Sequence, residues 1–315
     1  DIPVDPYQAF KCDVPNLSTQ LYFVVNDAFY TKALPKSNLP EGVIIDSLSN
    51  VATQNPELVS KYYGKLAKTN EDTITALNTM LAQDGLFVYV PKNVKVDRTI
   101  QVINILRSDV DMMVNRRVLI VLEEGAEAKF LFCDHAVDDR NFLATQVIEA
   151  FVGENACLEL NCLEETHYKN ARVSNVYIDQ QRSSRVNHNV ITLHNGFTRN
   201  MLNLVFKGEG AECHCNGCVI ADKSQHVDNN ILIDHQVPHC DSNVLYKYVL
   251  NDKSVGAFAG RVLVRKDAQK TTSQETNQNL CTTKEARMYT QPMLEIYADD
   301  ISRSEERFSR NAETD

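Results

Sequence analysis

The 315-residue sequence lacks several features that define familiar functional classes. It has no tryptophan, and none of its unbroken apolar runs exceeds five residues, as in Leu86–Val90. A helix that crosses a membrane needs about 20 consecutive apolar residues, so no membrane span is expected. No basic segment followed by an apolar one opens the sequence, which argues against a secretory leader. The absence of Trp also disfavours an aromatic platform for carbohydrates.

An excess of positive charge is lacking as well. Asp and Glu number 42 against 32 Lys and Arg, which gives a net charge of −10. Nucleic acids and anionic membranes are bound through basic surfaces, so neither is expected as the main partner. The phosphate-binding motifs G-x-G-x-x-G and G-x-x-x-x-G-K-[ST] do not occur, so the chain is not expected to bind ATP by itself.

Cysteine is plentiful, but its pattern does not predict a disulfide framework. The nine Cys are odd in number and irregularly spaced in a long chain. That pattern is typical of reduced thiols in a cytosol, so a cytoplasmic protein is expected.

Residues 1–85 predict an entry segment with a short strand, Leu21–Val25, followed by two helices. Asn55 is a favourable N-cap, and Pro56 suits the first helical position. The second helix is predicted to begin near Asn70 and to end at Gly85. The expected buried residues of the two helices are Leu58, Tyr62, Leu66, Ile74, Leu77 and Leu81.

From residue 86 onward the pattern changes to short runs rich in β-branched and aromatic residues, as strands prefer. Thirteen runs follow one another at a mean step near 14 residues, between centres near residues 88 and 260, with no amphipathic helix between them. The runs are Leu86–Val90, Thr99–Leu106, Arg117–Leu122, Ala128–Phe132, Leu143–Phe151, Ala156–Leu163, Val173–Ile178, Arg185–Leu193, Asn200–Phe206, Glu212–Ile220, His226–Ile233, Asn243–Leu250 and Val255–Val264.

A turn signature repeats among these runs, namely Gly125-Ala126, Asn155-Ala156, Gly210-Ala211 and Asp267-Ala268. Gly, Asn and Asp tolerate a positive φ best. A fixed period of short strands without helices predicts a β-solenoid, whose coils bury their faces on one another. An antiparallel β-sandwich is the alternative. Asn residues recur at matching places and are expected to stack along the solenoid: Asn187, Asn189, Asn203, Asn229, Asn230 and Asn243.

The densest chemical feature is a Cys- and His-rich segment between residues 213 and 240. On a strand, Cys213 and Cys215 face one way and His214 the other, and a turn at Asn216–Gly217 would bring Cys218 to the pair. Thiolate and imidazole groups bind zinc, iron and iron–sulfur clusters. The alternative is that the thiols are small apolar core groups. The segment's remaining members are His226, His235, His239 and Cys240.

Two other groups are candidates for acid–base chemistry. Asp134 and His135 are adjacent in sequence and are interpreted as a surface turn. A second group would work together only if neighbouring strands bring its members close, and a polar ladder or loop is the alternative. Its members are His226, Asp228, Asp234 and His235. No catalytic, cofactor-binding or metal-binding residue is assigned from the sequence.

Several blocks of residues together resemble the SufB/SufD family of the SUF iron–sulfur cluster assembly system, and within it the SufD-like members. The blocks lie between residues 39 and 300. They are Leu39–Val43, Ala76–Asn78, Asp84–Lys92, Gly208–Glu212, Gln225–Asp228, Leu232–His235, Phe258–Arg261, Asp267–Thr271, Asn277–Leu280 and Pro292–Asp300.

The resemblance implies a right-handed parallel β-helix and a non-enzymatic scaffold role. It implies pairing with a SufB-like subunit through the β-helices and a SufC-like ATPase held by a C-terminal helical region. In this family the nascent cluster belongs to SufB or to the SufB–SufD pair. No cofactor is therefore expected on this chain alone, and an iron–sulfur cluster is expected only in the assembled complex.

The sequence departs from the family pattern after Asp300. The family continues with a hydrophobe, a Lys and then Cys-Ser-His-Gly, whereas this chain has Ile301–Arg307 and lacks that Cys and His. Residues 301–315 are also not expected to form the helical region that the resemblance implies for SufC. We therefore predict three parts, namely an N-terminal region (1–85), a β-helix core (86–300) and a charged, solvated tail (301–315).

The sequence thus predicts a cytoplasmic, non-catalytic SufD-like scaffold subunit with SufB-like and SufC-like partners, or a homodimer. Two alternatives come from other classes. One is a β-helix enzyme of the secreted type that acts on a polysaccharide. The other is a metal-binding protein that uses the segment 213–240.

Overall fold

The structure of the protein is a computed structural model, and it describes residues 19–35 and 39–311. Within these residues, none of the helices has the length and apolar character needed to cross a membrane. The helices are α1 (Leu48–Gln54), α2 (Pro56–Tyr62) and α3 (Thr73–Leu81), with a 3-10 turn at Thr31–Ala33. The strands are β1 (Gln20–Val25), β2 (Ala28–Phe29), β3 (Ile44–Ser47), β4 (Leu86–Val90), β5 (Ile100–Leu106), β6 (Met112–Leu122), β7 (Glu127–Ala136), β8 (Phe142–Val152), β9 (Cys157–Glu165), β10 (Ala171–Gln180), β11 (Arg185–His194), β12 (Phe197–Phe206), β13 (Glu212–Ala221), β14 (His226–His235), β15 (Asp241–Leu250), β16 (Val255–Val264), β17 (Thr271–Cys281), β18 (Arg287–Ile296) and β19 (Ile301–Asn311).

The strands form two sheets, and from β4 onward consecutive strands alternate between them. Sheet A has the order β2-β1-β5-β7-β9-β11-β13-β15-β17-β19, and sheet B has the order β3-β4-β6-β8-β10-β12-β14-β16-β18. Pairs β1–β2 and β3–β4 are antiparallel, whereas the later pairs are parallel. The chain therefore winds as a parallel β-solenoid of about seven turns. The predicted solenoid is confirmed, and the antiparallel sandwich is excluded.

The spacing of the coils confirms the period that the sequence predicted. Arg185 on β11 pairs with Cys157 on β9 and with Glu212 on β13, 28 and 27 residues away. Each turn contains two strands, one in each sheet, so the step from strand to strand is about half of this spacing. Each of the thirteen predicted runs overlaps one of the strands from β4 to β16.

The repeated turn signature marks corners of the coil. Gly125, Asn155 and Gly210 have φ values of +68°, +56° and +70°, where Gly and Asn carry little strain. Asp267, the fourth corner residue, does not have a positive φ. The alanine that follows each corner residue is at most 1% exposed and fills the narrow end of the coil: Ala126, Ala156, Ala211 and Ala268.

Helices α1 and α2 cover the outer face of sheet B at its first strands. Their apolar residues form a cluster with Phe87, Leu119 and Val121, which point outward from the solenoid. The predicted start of α2 is confirmed, because the Asn55 side chain accepts a hydrogen bond from the N–H of Leu58 at 3.2 Å. The helix ends at Tyr62, so Leu66, which was predicted to lie on its buried face, follows the helix.

Helix α3 buries a polar face, in contrast to the prediction. Its buried residues are Thr75 and Asn78, whereas Ile74, Leu77 and Leu81 are only partly buried. The helix lies over β6, β8 and β10, whose outward side chains there are polar. Thr75 shares a hydrogen bond with the Tyr177 hydroxyl at 2.8 Å. The Asn78 amide donates to the Arg116 carbonyl and the Thr145 hydroxyl.

The solenoid continues beyond the predicted core boundary at residue 300. Strand β19 pairs in parallel with β17, from Thr271 opposite Ile301 to Cys281 opposite Asn311. A charged, solvated tail was predicted here. Backbone pairing does not require apolar side chains, and without β19 the N–H and C=O groups along one edge of β17 would lack partners. Residues 312–315 lie outside the described residues.

Candidate functional site

The Cys-rich part of strand β13 lies with its thiols on both sides of sheet A. Cys213 and Cys215 are fully buried inside the solenoid and His214 is exposed, as predicted. The prediction for Cys218 is wrong, because β13 continues straight through Asn216–Gly217 and places Cys218 on the outer face. The thiols of Cys213, Cys215 and Cys218 therefore do not come together at one site.

Gly217 lies within strand β13, where the sequence suggested a turn. It faces the interior, and a Cβ at this position would collide with the ring of Tyr246, its neighbour on β15. The glycine therefore makes space for an aromatic ring from the next coil. The Tyr246 ring in turn packs against Phe258, with the centroids 5.1 Å apart.

The histidines that follow in sequence are spread over different surfaces. His226 stacks on Phe197 on the outer face of sheet B, with ring centroids 5.2 Å apart. His235 is buried and hydrogen-bonded to the Ser242 hydroxyl at 2.9 Å. His239 is exposed in a turn, and Cys240 is buried beside it. Among residues 19–35 and 39–311, no group of three or more Cys, His, Asp or Glu is arranged to hold a metal ion.

The buried thiols of Cys213 and Cys240 are held in their protonated form. Burial, together with a hydrogen bond to the Cys215 thiol, raises the pKa of Cys213 well above its ordinary value. Burial also raises the pKa of Cys240. Because the thiolate is the form that binds metals and attacks electrophiles, these cysteines behave as apolar core groups. This is the alternative that the sequence left open.

The two acid–base candidates do not form catalytic pairs. Asp134 points into the solenoid and is 3% exposed, whereas its neighbour His135 lies on the opposite face of β7, so the predicted surface turn is wrong. Asp234 forms an ion pair with Arg265 at 2.9 Å on the surface. His235 lies inside, away from Asp234. Asp228 lies 3.7 Å from Arg199, so each of the three candidate carboxylates has an arginine as its ion-pair partner.

Asp134 belongs instead to a buried charge network that crosses the solenoid interior. Its two carboxylate oxygens bind Arg116 at 3.0 Å and Arg172 at 2.6 Å. Arg172 also contacts Glu164 at 2.8 Å, and all four side chains are at most 5% exposed. The two positive and two negative charges balance. Because charges of opposite sign face each other across the interior, these groups can be buried. Burying one such charge alone would cost too much free energy.

Hydrogen bonds extend this network toward later coils. Glu164 accepts from the Thr192 hydroxyl at 2.6 Å and from the Asn200 amide at 3.1 Å. The same amide approaches the Asn229 oxygen at 3.1 Å, and Asn229 donates to the Tyr248 hydroxyl at 2.7 Å. A continuous polar chain therefore links coils from β6 to β15. The sequence signal is a charged residue at an inward position of each of β6, β7, β9 and β10, and the sequence analysis missed it.

The electrostatics of the network follow from burial and pairing. Burial alone would raise the pKa of Asp134, but the nearby Arg172 and Arg116 outweigh it and lower the pKa. Burial likewise opposes the charge of Arg172, yet Glu164 and Asp134 raise its pKa. Pairing therefore favours the charged forms of Asp134 and Arg172, whereas burial lowers the pKa of Arg116.

The last described strand of sheet B leaves an open backbone edge. The N–H groups of Arg287 and Tyr297 donate toward β16, so the alternate residues of β18 direct their N–H groups away from it. Among the described residues no strand pairs with that side. Pro292 is at one of these positions and has no N–H, as is usual for a proline in an edge strand. The remaining outward donors are Met288, Thr290, Leu294 and Ile296.

Exposed apolar groups surround this open edge. Tyr289 and Tyr297 are 62% and 63% exposed. On the outer face of sheet B beside them lies a groove of about 270 Å³, lined in part by Met201, Leu232 and Met293. Helices α1 to α3 cover only the earlier strands of this face, so its later strands remain open. An uncovered sheet edge beside an apolar groove is typical of a protein interface.

The fold is thus a parallel β-solenoid in which, among the described residues, β18 has a strand partner on one side only. The sequence matches two family profiles along nearly its whole length. The first is described as SUF system FeS cluster assembly, SufBD core domain, and covers residues 104–306. The second is described as SufBD protein N-terminal region and covers residues 1–102. The chain therefore belongs to the SufBD family of iron–sulfur cluster assembly proteins.

Curated relatives agree with this assignment. An iron–sulfur cluster assembly SufBD family protein of Synechocystis is 27% identical over 300 residues, which are 90% of this chain and 64% of the relative. One from Staphylococcus saprophyticus is 24% identical over 315 residues, covering 96% of this chain and 66% of the relative. The chain thus spans slightly less than two thirds of the length of these relatives.

Proposed function

We propose that this chain is a non-catalytic, SufD-like scaffold subunit that pairs with a SufB-like subunit in a cytoplasmic iron–sulfur cluster assembly complex. In the proposed complex, a SufC-like ATPase supplies the work of ATP hydrolysis. Membership of the SufBD family supports the assembly role. The protonated thiols of Cys213 and Cys240 and the charge-balanced buried network support a structural part in it.

The open edge of β18 is the observation that carries the proposed pairing. Its outward N–H and C=O groups can extend sheet B into a partner's sheet, and strand addition supplies main-chain hydrogen bonds along the whole contact. The neighbouring groove and exposed tyrosines add apolar contact area. A solenoid transmits force along its length because each coil is bonded to the next, which suits a subunit that is moved by an ATPase.

Replacing Thr290 on β18 tests the pairing. Thr290→Pro removes an outward N–H without removing a bond to β16, so we expect the folded chain to lose most of its affinity for the SufB-like subunit of the same organism. The matched control, Thr290→Val, keeps the N–H and removes only the hydroxyl. Co-purification and analytical ultracentrifugation measure the complex. Equal binding by the two variants would refute edge pairing, and self-association alone would favour the homodimer.

The non-catalytic role and the location of the cluster need their own measurements. We expect the chain alone to hydrolyse no ATP and to purify anaerobically without stoichiometric iron and sulfide. We expect a cluster only after assembly with the SufB-like and SufC-like subunits. ATPase assays and iron and sulfide analysis, on the chain and on the complex, test this. A cluster on the isolated chain would contradict the proposal.

A further inference from the structure

His188 on β11 is enclosed within the solenoid core. Its side chain points inward and is 3% exposed. In sheet A it stands between Leu160 on β9 and Cys215 on β13. Neither Nδ1 nor Nε2 has a hydrogen-bond partner among the described residues. Burial lowers the pKa of His188 to about 4, so the ring is neutral at pH 7 and carries one donor and one acceptor.

Two unpartnered ring nitrogens in one buried side chain require an explanation. Buried polar groups in proteins almost always have a partner, which is either a protein atom or an ordered water. An unpaired buried donor or acceptor destabilises the folded state, because it has lost its hydrogen bonds to water and has formed none in the protein. Leu160 supplies no polar atom, and Cys215 is engaged with Cys213. The partner must therefore come from elsewhere.

A small cavity adjoins the ring. Its volume is about 10 Å³, and His188 forms part of its wall. Polar and charged side chains from both sheets form other parts of it, namely Cys162, Glu164, Arg172, Ser174, Asn200 and Tyr246. A cavity holds a water molecule when it offers roughly 10–15 Å³ and two to four polar partners. The cavity beside His188 satisfies both conditions and is too small for a larger ligand.

We propose that this cavity is a binding site for a single internal water molecule that hydrogen-bonds to His188. The water bonds one ring nitrogen of His188 and one or more of the polar groups across the cavity. It thereby joins sheet A to sheet B at a coil where the charge network, which includes Asn200, also crosses. The site is independent of the proposed assembly role, because it concerns the interior of the chain alone.

A crystal structure of the whole chain, at a resolution that shows ordered waters, tests the proposal directly. We expect density for one water within hydrogen-bond distance of a His188 ring nitrogen. A second crystal under xenon pressure should show no xenon there, because xenon enters dry apolar cavities. An empty cavity, bound xenon, or a His188 ring bonded directly to a protein atom would overturn the inference. These measurements need no variant, so they do not depend on the folding of one.

A pair of variants gives a solution test. His188→Leu removes both ring nitrogens, whereas the control His194→Leu changes an exposed histidine at the end of the same strand. Oxygen-17 relaxation dispersion counts water molecules with long residence times. We expect His188→Leu to have one fewer such water than the unaltered chain, and His194→Leu to have the same number. An unchanged count in folded His188→Leu would contradict the proposal.

Discussion

At the scale of single residues, Glu149 fastens the N-terminal region to the solenoid. Its carboxylate is fully buried on the outer face of sheet B and binds Arg117 at 2.7 Å. It also accepts hydrogen bonds from three backbone N–H groups after α2, those of Gly64, Leu66 and Ala67, at 2.9 to 3.0 Å. One side chain therefore satisfies four donors from two parts of the chain.

Removing this carboxylate should be strongly destabilising. Glu149→Ala leaves the Arg117 guanidinium buried without its counter-charge, for which we expect a loss of about 3–5 kcal/mol in the free energy of unfolding. Glu154→Ala is the control, because its ion pair with Arg182 is exposed and should contribute less than about 1 kcal/mol. Urea unfolding measures both variants. Similar losses of unfolding free energy in the two variants would show that the buried pair contributes no more than the exposed one.

Buried histidines should make the protein sensitive to mild acid. Burial lowers the pKa of His188 and His235 to about 4, whereas the unfolded chain has histidine pKa values of about 6.5. Between these values the unfolded state binds more protons, so stability falls as the pH is lowered from about 6.5 to about 4. Each histidine should contribute up to about 1.4 kcal/mol per pH unit.

The histidine contribution can be isolated by comparing slopes. Urea unfolding at several pH values between 4.5 and 7 should show a shallower pH dependence in His188→Leu than in the unaltered chain. The exposed-site variant His194→Leu should keep the original slope more closely. If His188→Leu and the unaltered chain lose stability equally, then His188 is protonated in the folded state and its assigned burial is contradicted.

At the scale of the element, each strand is specified by what its neighbours in adjacent coils require. A ladder of Asn side chains runs along the outer face of sheet A, where Asn189 donates to Asn161 at 2.7 Å and Asn216 donates to Asn189 at 2.8 Å. Asn189 is the one member of the predicted stack that belongs to this ladder. These bonds join three consecutive coils. Such ladders fix the register, because a shift by one residue would move every side chain to the other face.

Gly217 offers a test of this dependence between coils. Gly217→Ala places a methyl group against the Tyr246 ring, and we expect a loss of about 1–3 kcal/mol from overpacking. Cys218→Ala, on the exposed face of the same strand, should change stability by less than about 0.5 kcal/mol. In Gly217→Ala/Tyr246→Leu, the smaller leucine should restore part of the loss. Urea unfolding measures the free energy of unfolding of each variant. A double variant no more stable than Gly217→Ala would contradict overpacking against Tyr246.

At the scale of the whole molecule, stability should decrease toward the open end. Interior coils are bonded on both sides, whereas β18 has a partner on one side only among the described residues. In a solenoid each coil contacts only its neighbours, so terminal coils open locally at low cost. The side chains of β18 are correspondingly only partly buried, in contrast to the alternating full burial of β13.

Hydrogen exchange should report this gradient. We expect the outward amides of Met288, Thr290, Leu294 and Ile296 to exchange rapidly in the isolated chain and to slow at least tenfold when a SufB-like subunit binds. Amides of β9 and β11 should be protected in both states. Mass spectrometry or NMR of the free chain and the complex measures the rates. Unchanged rates in β18 on binding would place the interface elsewhere.

The sequence by itself determined the solenoid, because its signals are local and repeat. Strand alternation, a step of about 14 residues and corner residues such as Gly125 and Asn155 each depend on near neighbours in the chain. The start of α2 at Asn55 and Pro56 was predictable for the same reason. The tertiary structure alone decided the burial of Asp134 and Glu149, the polar face of α3 and the pairing of β19. Their partners come from other coils or from a neighbouring strand edge, so the free energy that fixes them exists only after the chain has wound.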